Sequence, residues 1–252
     1  MIENMALEWD FSPSRYFEES TEANCYGYTL KIGEGKVKAS IAATAFEADA
    51  SLHTKLHECL NDTFLMQQLL TYELYELSLP TRIAVHPDGR RDYSIELKPQ
   101  GLTIATGLID FCVIDKNGNT IKDSKQERIA NRKQGRDQLG AGACDELLRV
   151  LLQICQAAIK DPHNELVHLY EIPEALSKKF GNDAKAQEAL GIRYARWKRL
   201  GQLCNNKFLI QGRHRGQAAG NLLRDASVKE LTDARGIVRE MICAYSHYVK
   251  KS

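Results

Sequence analysis

The chain has no run approaching the about 18 uninterrupted apolar residues that a membrane span requires, so a membrane location is not expected. Its opening stretch, MIENMALEWD, has neither a basic n-region nor an apolar h-region, so no secretory signal is expected there. None of the seven cysteines forms a C-x-x-C pair, and Cys155 and Cys243 sit within apolar helical patterns. That usage predicts no disulfide framework, no cysteine zinc cluster and a reducing, cytoplasmic location. There is no P-loop and no G-x-S-x-G elbow. GAGACD, at residues 140–145, lacks the preceding strand and later acid of a dinucleotide fingerprint. No cofactor is therefore expected.

What is present divides the chain in two. YGYTLKIGEGKVKASIA alternates Tyr26, Tyr28, Leu30 and Ile32, then Val37, Ala39 and Ile41, around Gly33 and Gly35, the period-2 pattern of a hairpin with one buried face. Leu52, Leu56 and Leu60 then step by four, predicting a helix within 44–77. Strands resume after Leu79, with a Pro87-Asp88-Gly89 turn, Tyr93, Ile95 and Leu97 on one face, and Asn117-Gly118 as a second turn. From Asp145 onward the pattern is helical. Leu147, Leu148, Leu151, Ile154, Cys155 and Ala158 make a wide stripe, Asn164 is placed to cap the next helix, and Gly181 and Gly191 follow helix ends. Ser227 and Glu230 form a capping box before a seam of Leu231, Ala234, Val238, Met241, Tyr245 and Tyr248. The expected fold is α+β: a mostly antiparallel β domain with a packed helix (1–122), a polar linker (123–143) and a helical bundle (144–252).

The net charge of +1 conceals a polarity: residues 1–80 carry −8 and residues 178–215 carry +8. A cationic concentration of that kind attracts phosphate or an acidic surface, although a charge run is more often a solvated face. Within it, QGRHRG (211–216) sets Arg213, His214 and Arg215 between two glycines. An arginine's planar fork matches phosphate oxygens, and an imidazole can carry a proton near neutral pH. Adjacent residues share no face of a helix or strand, so the two would converge only in a turn. The plainer reading makes these arginines ties for helix ends.

The segments ELVHLYEIPEALSKKFG, ALGIRYARWKRLGQLCNN, QGRHRG and LRDASVKELTDARGIVREMICAYSHYV resemble the helical C-terminal region of an uncharacterised bacterial protein family. More loosely, residues 145–250 are similar to the HEPN class. The resemblance implies a helical bundle, often dimeric, with RNase activity in phage defence, toxin–antitoxin systems or RNA processing. The usual HEPN signature places a histidine after an arginine with four to six residues between. That spacing is absent here; Arg239 and His247 have seven residues between them and would lie about 12 Å apart along a helix. What the resemblance carries over is Asn205, Arg213 and His214. It implies RNA binding or cleavage, with Arg213 and His214 as catalytic candidates and Arg215, Asn205, Arg193, Arg196, Lys198 and Arg199 as the nucleic-acid contact.

Two alternatives stand beside this. One is a non-enzymatic homodimer or sensor, using the last helix as its interface. The other is a Mg²⁺-dependent nuclease of the PD-(D/E)xK kind, from Asp88, Glu96 and Lys98 or from Asp110, Asp123 and Lys125, where carboxylates would hold the metal and lysine the attacking water. The same alternation is what a solvated strand face presents. His53 and His57, four apart, supply two ligands where zinc needs four, so no metal site is expected from them.

Overall fold

The computed structural model describes residues 4–94, 110–114, 119–140, 145–206, 208–215 and 223–251. Contacts divide the chain into two compact units, Met1–Phe64 with Glu73–Gln134, and Leu65–Tyr72 with Gly135–Ser252. The architecture is α+β, a sheet unit and a helical unit.

In the sheet unit, β1 (Asn4–Ser12), β2 (Thr21–Cys25), β3 (Tyr28–Gly33) and β4 (Lys36–Ala42) precede two helices, α1 (Ala43–Ala48) and α2 (Leu52–Thr71). Then come β5 (Glu76–Leu77), β6 (Thr81–Val85), β7 (Arg91–Ser94), β8 (Cys112–Ile114) and β9 (Thr120–Asp123). The main sheet has the order β2-β3-β4-β1-β6-β7, every pairing antiparallel, with β5 added to β1; β8 and β9 form a separate hairpin. Alternation holds at Leu30, Ile32, Val37, Ala39 and Ile41, which are buried while their neighbours face out; Tyr26, in the β2–β3 turn, departs from the expected face and is exposed. Trp9, Leu56, Leu60 and Phe64 complete that core. Tyr93 departs from its expected buried face and is exposed; Ile95 and Leu97 lie outside the described residues, as does Asn117-Gly118.

The cysteine expectation is overturned. Cys25, at the end of β2, and Cys59, on α2, form a disulfide across 34 residues of sequence. Spacing could not show it, because the pair meets only when the helix packs on the sheet. The neighbouring histidine is also structural: Nδ1 of His57 accepts a hydrogen bond from Trp9 Nε1 at 3.1 Å.

The expected polar linker is also corrected. Ser124–Gly140 is a continuous helix, α3. Asp123 starts it by accepting from the backbone N–H groups of Lys125 and Gln126, each at 3.0 Å. No proline interrupts it, and Ile129 and Leu139 supply buried positions, so most of its polar residues lie on the exposed face of a helix rather than in a loop. The unit boundary accordingly falls inside α3, and the end of α2 from Leu65 belongs with the helical unit.

The helical unit contains α4 (Glu146–Lys160), a 3₁₀ turn (Pro162–Asn164), α5 (Glu165–Phe180), α6 (Asp183–Leu190), α7 (Tyr194–Gly201), a π-helical turn (Gln202–Asn206) and α8 (Val228–Lys251). Asp145 caps α4 by accepting from Leu148 N–H at 2.8 Å. Gly181 and Gly191 end α5 and α6 in the left-handed conformation, as expected. Asn164 does not cap α5: its amide donates to Asp161, and its carbonyl receives Arg215. The capping box forms, with Glu230 N–H donating to Ser227 Oγ at 3.3 Å and Ser227 N–H to Glu230 at 3.0 Å. Ala234, Val238, Met241 and Tyr245 of α8 are fully buried against α4–α7. Those four positions are core of their own unit and are not available to a second copy, while Leu231 and Tyr248, the ends of the expected seam, are not fully buried.

Candidate nucleic-acid interface

α7 sorts its cationic residues by helical position. Trp197 and Leu200 enter the core. Arg196 and Arg199, flanking that buried stripe, reach α8: Arg196 donates to Asp233 at 3.1 Å and Glu240 at 3.0 Å, and Arg199 donates to Asp233 at 2.8 Å. Burial pushes the Asp233 carboxyl up, but the hydrogen bonds and charges of Arg199 and Arg196 outweigh it and hold it below its ordinary value. These two arginines fasten α7 to α8. Arg193 occupies the N-cap position of α7 and is exposed, while Lys198 lies 5.7 Å above the ring of Tyr194. Tyr194 itself is 65% exposed.

The chain leaves α7 through the π-helical turn. The Cys204 carbonyl accepts the backbone N–H of Arg213 at 2.9 Å, and Leu209 bridges to Arg224, so the 208–215 segment is tied at several points. Gly212 lets the chain pass closely there: a β-carbon would stand 3.1 Å from the Cys204 carbonyl oxygen and 3.2 Å from that of Leu209, so both would have to give by a few tenths of an ångström. Asn205, expected to fix this loop, has its Oδ1 buried without a hydrogen-bond partner, and the backbone of Cys204 does the fastening instead.

The three residues of the Arg-His-Arg run diverge, as adjacent positions must. Arg213 donates to Glu174 at 2.6 Å with its guanidinium 4.7 Å over the ring of Tyr170, and its side chain is 33% exposed. Arg215 turns back on the chain, donating to the carbonyls of Gly212 and His163 and to Asn164 Oδ1. His214 is exposed and has no hydrogen-bond partner among the described residues. Arg215, Arg196 and Arg199 thus tie the scaffold together. Arg213, His214, Arg193 and Lys198 remain presented to solvent, two of these cations seated on tyrosines. Tyr170 with Glu174 and Tyr194 with Lys198 are each i, i+4 pairs, the one sequence signal that would have marked the aromatic partners.

The nuclease alternative finds its carboxylates engaged elsewhere. Asp88 accepts from Arg90 N–H inside a turn, Asp110 pairs with Arg128, and Asp123 caps α3. Glu96 and Lys98 lie outside the described residues. Among the described residues no three His, Cys, Asp or Glu side chains are grouped to hold a metal.

No family model, curated protein or solved structure matches this chain. No helix among the described residues is long and apolar enough to cross a membrane.

Proposed function

We propose that the helical unit binds single-stranded RNA through Arg213, His214, Arg193 and Lys198 together with the tyrosine faces beside them. The observation that carries this reading is the pairing of cation with exposed ring, above all Lys198 over Tyr194. Single-stranded nucleic acid is gripped by such combinations: a ring stacks on a base and is tolerant of its identity, and a neighbouring cation meets the phosphate. Arg213, oriented by Glu174 and Tyr170, offers its remaining donors without having to be ordered on binding. Arg215, Arg196 and Arg199 act here only by holding the surface in place, and Asn205 has no part in the contact.

The test is fluorescence anisotropy with a labelled, unstructured RNA across a range of salt concentrations. Arg213→Ala and Lys198→Ala should each weaken binding and reduce the dependence of log affinity on log salt by about one phosphate contact. Unchanged affinity and slope in the double variant would remove the reading. The same samples, followed over time on a gel, report cleavage. RNA that shortens with wild type and stays intact with His214→Ala makes the imidazole a proton carrier; RNA intact throughout leaves a binding module.

A further inference from the structure

The sheet unit contains a cleft of about 630 Å³ that the RNA reading does not use. It is built by the chain between β1 and β2. Tyr16 stacks on Phe64 at 5.6 Å and donates its hydroxyl to the Phe64 carbonyl, and Phe17 meets the same ring edge-on at 5.0 Å. Those anchors deliver the next residues, Glu18 and Glu19, to the cleft wall. Glu34 comes from the β3–β4 turn, where Gly35 at φ +79 lies so close to Ser14 that a β-carbon would be 3.1 Å from it. α3 supplies Lys125, Arg128 and Arg132.

The polar groups are unequally engaged. Glu18, whose side chain is 10% exposed, receives both Arg128 and Arg132, and Asp110 takes the outer edge of Arg128. The Arg128 hydrogen bond is the main influence holding the Glu18 carboxyl below its ordinary range against the cost of burial. Arg128 is nearly saturated. Arg132, only 14% exposed, uses one of its five N–H groups on Glu18, and the other four have no partner among the described residues. Lys125, Glu19 and Glu34 also line the cleft without ion-pair partners among the described residues.

We propose that this cleft binds a basic amino acid, free or as the C-terminal residue of a peptide. Its carboxylate meets Arg132 and Lys125, and its side-chain cation meets Glu19 and Glu34. The lining holds five carboxylates and four cations, which leaves one negative charge over. A simple anion would be opposed by that excess, and a simple cation by the unfilled guanidinium and ammonium. A molecule bearing both charges satisfies both walls, and in the free amino acid the α-ammonium adds the one positive charge that offsets the excess. The partly filled fork of Arg132 matches a carboxylate, which it can grip through two N–H groups.

Isothermal titration of the full chain with L-arginine tests this independently of RNA binding. The expected dissociation constant is below about 1 mM, with L-glutamate and L-arginine amide at least about tenfold weaker. Lys125→Ala, and Glu19→Gln combined with Glu34→Gln, change exposed side chains and should keep the fold while weakening L-arginine at least about tenfold. N-acetyl-L-arginine separates the two sources: binding as tight as L-arginine's assigns a peptide C-terminus, and tighter binding of L-arginine alone assigns the free amino acid. Absence of binding by both probes at about 10 mM, equal binding of L-glutamate, or unaltered affinity in both variants would overturn the proposal.

Discussion

The two units use arginine differently. In the helical unit, Arg235 forks onto the buried Glu165 at 2.6 and 2.8 Å and lies over the Tyr72 ring, while Arg224 forks onto Glu230. Arg196 and Arg199 share Asp233. In the sheet unit, Arg128 and Arg132 share Glu18, and Arg132 retains unclaimed donors beside a cleft. The comparison teaches that a cationic run is not in itself a surface for anions. What decides is how many donors each guanidinium has left after its own chain has used it.

The largest expected effect breaks the scaffold side of that comparison. Glu165 is 3% exposed at its side chain and accepts from Arg235 and from the Tyr72 hydroxyl, so Glu165→Ala strands both. A loss of about 3 kcal/mol is expected, read as a lower urea midpoint by circular dichroism. Glu18→Gln should do less, because Asp110 still holds Arg128. Its signature is in the pH dependence. Since the folded Glu18 carboxyl titrates below its unfolded value, its contribution is present above the ordinary glutamate range and fades as pH falls through the folded value. Thermal melts on the acid side should therefore lose part of their pH dependence in the variant.

Smaller changes probe the presented side chains. Tyr194→Ala should weaken single-stranded RNA by about tenfold through the lost stacking face while leaving the unfolding midpoint nearly unmoved. Arg199→Ala should do the reverse, lowering stability modestly by leaving Asp233 to Arg196 alone and leaving the salt slope intact. Ser227→Ala removes the hydroxyl cap of α8 and should cost about 1 kcal/mol, measured in the same urea titration.

Much of the fold was legible because local rules and burial agreed. The alternation of β3 and β4, the four-residue steps of α2, Gly181, Gly191 and the Ser227–Glu230 box are all short-range signals. α3 was missed because glycine and polar residues look like a linker, although neither prevents an exposed helix. The Cys25–Cys59 bridge was missed because its partners meet only through packing. For the site, sequence marked the 211–215 loop but could not separate Arg213 from Arg215, nor Lys198 from Arg199. One or two residues along the chain turn a side chain from solvent to scaffold, and only the positions of Glu174, Asp233 and Asn164 show which way.

Photo-cross-linking with a 4-thiouridine-labelled single-stranded RNA, followed by mass spectrometry of the peptides, tests the central claim most directly. Cross-links are expected at Tyr194 and in the Gln211–Arg215 stretch, diminished by added salt. Cross-links confined to the sheet unit, or unaffected by Tyr194→Ala and Arg213→Ala together, would contradict it.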